Sequence, residues 1–115
     1  MKVAVIHGPG DLRLDDAERP VAGAKDVVIK VAAAGICGTD LHFRNMGARF
    51  NRPMPLGHEF AGEIVAVGKD ANGARGPWRE GDRVCTMPGI SCGSCLACLS
   101  GDVMGCKKLR VTGFG

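Results

Sequence analysis

The chain has 115 residues, of which 45% are hydrophobic and 23% are charged, and this size and composition are those of one folded domain rather than a disordered chain. The formal charge of +3 is small, and basic and acidic residues alternate along the chain, so charge does not indicate a nucleic-acid partner. The apolar run near the start is too short for a secretory signal or a membrane span, and we expect a cytoplasmic protein with no membrane contact.

In chain order, the sequence predicts short strands joined by tight turns. Eighteen glycines and six prolines accompany only one Trp, four Phe and no Tyr. "MKVAVI" and "LRLDDAERP" flank a "HGPGD" turn and predict a hairpin, and "DVVIKVAAAGIC", "EFAGEIVAVG" and "GDRVCTM" predict further strands. Residues 41–56 predict one short helix or an ordered loop, and residues 70–80 predict a loop. The pattern favours a mainly-β fold, an irregular β-barrel or β-sandwich with short helical segments.

Four cysteines are concentrated in "SCGSCLACLSGDVMGC", residues 91–106. They are Cys92, Cys95, Cys98 and Cys106. Two cysteines separated by two residues can face one ion across a turn, and four thiolates complete the tetrahedron that zinc prefers. Such a site leaves zinc no open position, so we predict a structural zinc. An iron–sulfur cluster fits less well because the last gap is too long, and disulfides are unusual in a reducing compartment.

A second group of polar residues lies in "GICGTDLH", residues 35–42, and "GHEF", residues 57–60. Cys37, His58 and Glu59 form a Cys/His/carboxylate set, and a mixed set with an open fourth position is what catalytic zinc requires. Each residue also has an ordinary structural explanation: a small buried thiol, a hydrogen-bonded loop histidine and a solvated carboxylate. From the residues alone, both interpretations stay open.

Taken together, these motifs are recognisable. "GICGTDLH", "GHEFAGEIVAVG", "GDRV" and the four-cysteine segment, in this order and spacing, resemble the N-terminal catalytic domain of zinc-dependent medium-chain alcohol dehydrogenases. The resemblance runs over essentially the whole chain and implies a GroES-like β-barrel with two zinc ions, one catalytic and one structural. It implies that Cys37 and His58 bind the catalytic ion, and that Glu59 is a direct ligand or an adjacent carboxylate that exchanges with water.

The same resemblance implies roles for the polar residues around the catalytic ion. Asp40 would hold the imidazole of His58 and fix its tautomer. Thr39 and His42 match the family's proton relay, which leads from the reacting hydroxyl toward solvent. The implied reaction is hydride transfer from an alcohol to NAD or NADP. The glycine after Cys37 and the "GHE" triplet look most like the polyol and threonine dehydrogenase branch, so we expect a secondary alcohol or polyol as substrate.

The domain expected from this resemblance is a partial one. We assign residues 1–115 to the GroES-like catalytic domain, with the structural zinc lobe at about 88–110 and no Rossmann domain in this chain, because "GPGDLR" lacks the dinucleotide-binding spacing. We therefore expect a piece of a longer protein that forms homodimers or homotetramers. The alternative is a non-enzymatic zinc-binding interaction module, which would need one zinc only and would leave the second group of residues unexplained.

Four further residues have side chains with possible structural or functional roles. We predict that Cys85 in "GDRVCT" is a buried strand thiol and that His7 is a solvated turn residue. Phe43 and Phe50 lie between the two motifs of the second group, and core packing and a place in a substrate cleft are equally open for both.

Overall fold

A computed structural model of the chain describes residues 1–46, 53–73 and 76–112, and these residues form mostly short strands. The strands are β1 (Lys2–Gly8), β2 (Asp11–Asp16), β3 (Val27–Ala34), β4 (Met54–Pro55), β5 (Phe60–Val67), β6 (Asn72–Gly73), β7 (Gly76–Pro77), β8 (Arg83–Cys85), β9 (Gly89–Ile90) and β10 (Arg110–Val111). The helices are α1 (Gly38–Met46), α2 (Leu96–Leu99) and a 3₁₀ helix (Val103–Gly105). The prediction of a mainly-β fold with short helical segments is confirmed.

The first sheet has the strand order β2-β1-β4 and carries much of the core. β1 and β2 form the predicted antiparallel hairpin, whose turn contains Gly10 at φ 72°, a left-handed conformation that favours glycine. Val5 and Ile6 on β1 are buried, and β4 brings the buried side chain of Met54 beside Ile6. The continuous apolar run "VAVI" therefore provides buried side chains on both faces of β1, since Val5 and Ile6 are adjacent and point to opposite faces.

The second sheet has the order β3-β5-β8, so β5 is its central strand. Val and Ile dominate the first part of β3, as is usual in strands, and Ile64 at the centre of β5 is 1% exposed. The antiparallel register pairs Ala34 with Phe60 and Ala61 with Cys85. As a result, the end of β3, the start of β5 and the end of β8 meet at one edge of the sheet.

The cysteine-rich segment forms a loop region whose two ends pair with each other. β9 and β10 pair antiparallel through Gly89 and Val111, and the backbone N–H of Thr112 donates to the carbonyl of Pro88 at 2.8 Å. The short strands bring the two ends of residues 88–112 together, and α2 and the 3₁₀ helix lie between them. We call residues 88–112 the cysteine lobe.

Helix α1 accounts for the first part of the stretch predicted as a short helix or an ordered loop. The remainder of that stretch falls partly outside the described residues. The carbonyl of Arg44 accepts a hydrogen bond from the backbone N–H of Gly10 at 2.8 Å, which ties α1 to the first hairpin. Within the described ranges, no helix is long and apolar enough to cross a membrane.

One prediction about a single residue is wrong, and a second is wrong in part. Cys85 does lie on a strand, but its side chain is exposed, because β8 is an outer strand of the described sheet and pairs only with β5 there. His7 is exposed, as predicted, but it belongs to β1 rather than to the turn, and its Nε2 atom lies 2.7 Å from Oδ2 of Asp15 on the neighbouring strand. In both cases the pairing of strands, which local composition does not specify, decides the surroundings.

Candidate metal centres

The described residues contain two groups of side chains whose potential ligand atoms converge. One group consists of Cys92, Cys95, Cys98 and Cys106. The other consists of Cys37, His58 and Glu59. Within each group the ligand atoms all lie within 4.8 Å of one another. The structure thus brings together the members of both sets that the sequence singled out.

The four-cysteine group is built by turns within one short stretch of chain. Gly93 and Gly101 adopt φ values of 69° and 88°, which a residue with a Cβ rarely adopts. Cys95 precedes α2 and Cys98 lies within it, so the first turn of the helix brings their sulfur atoms to 3.5 Å. The sulfur of Cys98 lies 3.9 Å from that of Cys92. Local backbone geometry is therefore enough to gather these three thiols.

Cys106 closes the group from the other side of the lobe. A carboxylate oxygen of Asp102 accepts a hydrogen bond from the backbone N–H of Gly105 at 3.0 Å, which fixes the 3₁₀ helix just before Cys106. The sulfur of Cys106 is buried and accepts backbone N–H groups from Cys92 at 3.3 Å and Lys108 at 3.4 Å. These two backbone contacts fix the position of the Cys106 sulfur within the group.

The pKa values of three thiols in this group are shifted in different directions. Hydrogen bonds from the backbone and hydroxyl of Ser94 lower the pKa of Cys92 to about 6, and the backbone of Cys98 lowers the pKa of Cys95. Burial raises the pKa of Cys98 to about 11. A divalent cation is what would hold all four as thiolates at neutral pH. The four sulfurs fit zinc, which takes this donor set in tetrahedral structural sites.

The second group joins two distant segments and is called the mixed site below. Cys37 lies between β3 and α1, and His58 and Glu59 lie immediately before β5. Cys37 is half-buried, His58 is buried and Glu59 is exposed. The set therefore combines one soft ligand, one imidazole and one carboxylate, with a solvent-facing side. Three ligands and an accessible fourth position are typical of catalytic rather than structural zinc.

Asp40 lies close to both segments of the mixed site. The residue is 6% exposed, and its Oδ2 atom accepts the backbone N–H of Cys37 at 2.8 Å. Its Oδ1 atom lies 3.4 Å from Nδ1 of His58, whose side chain is equally buried. A metal-binding histidine commonly places one ring nitrogen beside a carboxylate in this way, which orients the ring. Asp40 and His58, which the family resemblance pairs, therefore lie side by side, and the role of Asp40 stays a prediction.

Two residues that the sequence did not single out hold the backbone of the mixed site. The hydroxyl of Thr86 lies 3.1 Å from the carbonyl oxygen of His58 and 3.1 Å from the backbone nitrogen of Phe60. On the opposite side, the backbone N–H of Gly35 donates to the carbonyl of Glu59 at 2.8 Å. Neither contact has a local sequence signal, since Thr86 and Gly35 are distant from this segment in the chain and follow the ends of β8 and β3.

The remaining predicted residues lie on or beside α1. The Sγ atom of Cys37 lies 3.6 Å from Oγ1 of Thr39, so the threonine hydroxyl is next to one candidate ligand. His42 follows one helical turn later and its side chain is exposed. Phe43 on α1 is half-buried, whereas Phe50 lies outside the described residues.

Comparison with protein families gives a match over residues 23–115 to the family described as alcohol dehydrogenase GroES-like domain. Sorbitol dehydrogenase of Bacillus subtilis is 42% identical over 114 residues, which are 96% of this chain and 31% of that protein. An L-threonine 3-dehydrogenase of Bacillus licheniformis is 41% identical over 116 residues, covering 96% of this chain and 32% of that protein.

Solved structures resemble the whole described fold. Galactitol-1-phosphate dehydrogenase from Escherichia coli has a TM-score of 0.85 and 34% identity, covering 99% of this chain and 32% of its own. An alcohol dehydrogenase from Thermus sp. ATN1 has a TM-score of 0.83 and 31% identity, covering 100% of this chain and 32% of its own. The chain therefore spans about a third of the length of the relatives it matches.

Proposed function

The chain belongs to the alcohol dehydrogenase GroES-like domain family, as its motifs predicted, and on this basis we propose that it is part of the catalytic domain of a zinc-dependent alcohol dehydrogenase. The proposed reaction is oxidation of a secondary alcohol or polyol by hydride transfer to NAD or NADP. The observation that carries the proposal is the presence of two convergent ligand sets of different chemistry, a closed four-thiol set and a mixed set that opens to solvent.

The two sets receive different roles in this proposal. Cys92, Cys95, Cys98 and Cys106 would hold a structural zinc, because four thiolates fill its coordination shell. Cys37 and Nε2 of His58 would hold a catalytic zinc, and Glu59 would be a third ligand or a neighbouring carboxylate that exchanges with water. When bound there, zinc supplies Lewis-acid polarisation of an alcohol hydroxyl.

The chain's own residues then orient the ligands and move the proton. The carboxylate of Asp40 faces Nδ1 of His58 and favours the tautomer with the proton on that nitrogen, in which Nε2 would be the metal ligand. Oγ1 of Thr39 would accept the proton of the substrate hydroxyl and pass its own toward His42. The imidazole of His42 is exposed and would pass that proton on to water. A hydroxyl followed by an imidazole is therefore a suitable relay from a half-buried site to solvent.

The wider assignment is proposed with the same function. The 115 residues form one GroES-like unit, with the structural zinc lobe at about 88–110, and NAD or NADP is bound by a Rossmann domain of a longer protein. The names of the relatives point to sorbitol, threonine or galactitol phosphate, each of which contains a secondary hydroxyl with polar neighbouring groups. We propose a cytoplasmic homodimer or homotetramer whose partner is a small alcohol rather than nucleic acid or a membrane.

The deciding experiment is zinc analysis of the full-length protein beside a Cys37→Ser, His58→Ala double variant. We expect about two zinc ions per chain to fall to about one in the variant, with loss of zinc-dependent oxidation of sorbitol and threonine in the presence of NAD or NADP. Cys85→Ser is the matched control, because this exposed thiol lies outside both groups and its loss should leave both ions. One zinc in wild type and double variant alike, with no alcohol oxidised, would refute the proposal.

A further inference from the structure

We propose that Thr86 is a positioning residue for the mixed site, and that its hydroxyl, by bracing the backbone on both sides of Glu59, aims the side chains of His58 and Glu59. The inference rests on the proposed function, since it concerns how these two residues are presented to a metal. Thr86 lies 28 positions from His58 in the chain and has no place in either ligand set.

The Thr86 hydroxyl lies within hydrogen-bond distance of backbone atoms of both His58 and Phe60. Oγ1 lies 3.1 Å from the carbonyl oxygen of His58, 3.1 Å from the backbone nitrogen of Phe60 and 3.2 Å from the carbonyl oxygen of Phe60. A hydroxyl donates once and accepts, so the N–H of Phe60 donates to Oγ1 while the hydroxyl hydrogen is directed to the two carbonyls. The backbone N–H of Thr86 also donates to the Phe60 carbonyl at 2.9 Å.

These contacts lie where the regular pairing of β5 and β8 ends. The described register of β5 and β8 ends at the pair Ala61 and Cys85, so Thr86 lies just beyond the regular ladder. The segment from His58 to Phe60 would leave the sheet there without a side-chain brace. On the β8 side, Thr86 contacts this segment where the next residue pair of the ladder would lie. On the β3 side, the N–H of Gly35 donates to the Glu59 carbonyl at 2.8 Å. The backbone that carries two candidate ligands is thus held between β3 and β8.

The hydroxyl rather than the bulk of Thr86 is responsible for this brace, because all three contacts are to Oγ1. Valine retains the β-branched shape but leaves the His58 carbonyl and the Phe60 amide without this partner. Serine retains the hydroxyl and loses only a methyl group. The pair Thr86→Val and Thr86→Ser therefore separates hydrogen bonding from packing.

The test uses the full-length protein with zinc kept in the cysteine lobe and cobalt(II) titrated into the mixed site. We expect Thr86→Val to weaken cobalt binding by about 10- to 100-fold, the range found when outer partners of metal ligands are removed, and to shift the visible bands of the bound ion. We expect Thr86→Ser to restore the wild-type spectrum with an affinity within about threefold. Ser100→Ala is the control, because that hydroxyl donates to a backbone carbonyl, Ala97 at 3.0 Å, inside the cysteine lobe.

The outcomes separate this inference from the proposed function. Wild type that takes up no cobalt at the mixed site would overturn both. Wild type with a cobalt site that Thr86→Val leaves unchanged in affinity and spectrum would overturn the positioning role alone. Equal damage in the valine and serine variants would also overturn it, because packing of the methyl group would then be responsible. If Thr86→Val does not fold, Thr86→Ala, which adds no atom, replaces it with the same two readings.

Discussion

The cysteine lobe and the mixed site differ in how their side chains are brought together. In the lobe, Cys92 and Cys106 are 14 positions apart, and turns within that stretch gather the sulfurs. In the mixed site, the ligands come from two segments, and the backbone is braced by Thr86 from a third. A site gathered by local turns depends on its own loop, whereas a site gathered by strands depends on the sheet beneath it.

The two regions also differ in what surrounds the ligands. Asp40 and His58 are 6% and 5% exposed and lie at the edge of the sheet that contains the buried Ile64. In the lobe, α2 and the 3₁₀ helix have no buried residue, and Leu96 and Leu99 are exposed in the described structure. Little apolar burial is available to hold the lobe, so we infer that its metal stabilises its fold, while the sheet stabilises the mixed site.

The largest expected effect comes from Cys98→Ser in the lobe. Loss of this thiolate should remove the structural metal and much of its contribution to folding, which is roughly 10–16 kcal/mol for structural zinc in zinc-finger peptides. Hydrogen exchange should then show residues 88–112 unprotected while the β3-β5-β8 sheet stays protected. The exposed thiol variant Cys85→Ser is the control. A Cys98→Ser lobe with wild-type protection would show that packing, not metal, maintains it.

Gly62→Ala should disturb the sheet and the mixed site while leaving the cysteine lobe intact. A Cβ at this position of β5 would overlap the backbone of Lys30 and come within 2.9 Å of Cγ2 of Ile29. We expect about 1–3 kcal/mol of destabilisation by urea unfolding, with loss of the mixed site and retention of the lobe metal. Gly8→Ala is the matched control, since its Cβ would meet nothing within 4 Å. Equal loss of metal from lobe and mixed site would show that the two regions unfold as one.

Asp40→Asn tests the mixed site without disturbing the sheet. The amide oxygen can still accept the N–H of Cys37, but its NH₂ group would then face Nδ1 of His58 and favour the wrong tautomer. We expect metal affinity at the mixed site to fall about 10- to 100-fold, or roughly 1.4–2.7 kcal/mol, in a chelator competition. Asp16→Asn, at an exposed ion pair with Lys2, should change nothing. A drop at the lobe instead would contradict the assignment of Asp40.

The smallest expected effect is that of Gly35→Ala. Its Cβ would come within 2.8 Å of Oε2 of Glu59, but this oxygen is the free end of an exposed side chain that can move away. We expect unfolding free energy within about 0.5 kcal/mol of wild type and metal affinity at the mixed site within about threefold. Gly38→Ala, with open space around its Cβ, is the comparison. A tenfold loss would mean that Glu59 is held more rigidly than its exposure indicates.

The cysteine group could be predicted from the sequence because the information it requires is local. The spacing of Cys92, Cys95 and Cys98 and the intervening glycines already allow the sulfurs to face one point. For Cys37 and His58 the residues alone left a structural explanation open, and only resemblance to a family joined them. Cys85 was placed in the interior wrongly, because whether a strand lies at the outside of a sheet does not follow from its own residues.

The sequence by itself determined the mainly-β character, the first hairpin, the family and the candidate ligands, since alternation, turn residues and motif spacing act over short distances. Only the tertiary structure decided that Thr86 and Gly35 hold the two sides of the segment from His58 to Phe60. The physical reason is register: a shift of one residue between β5 and β8 would turn the Thr86 side chain to the other face of the sheet. That register depends on the packing of the whole sheet.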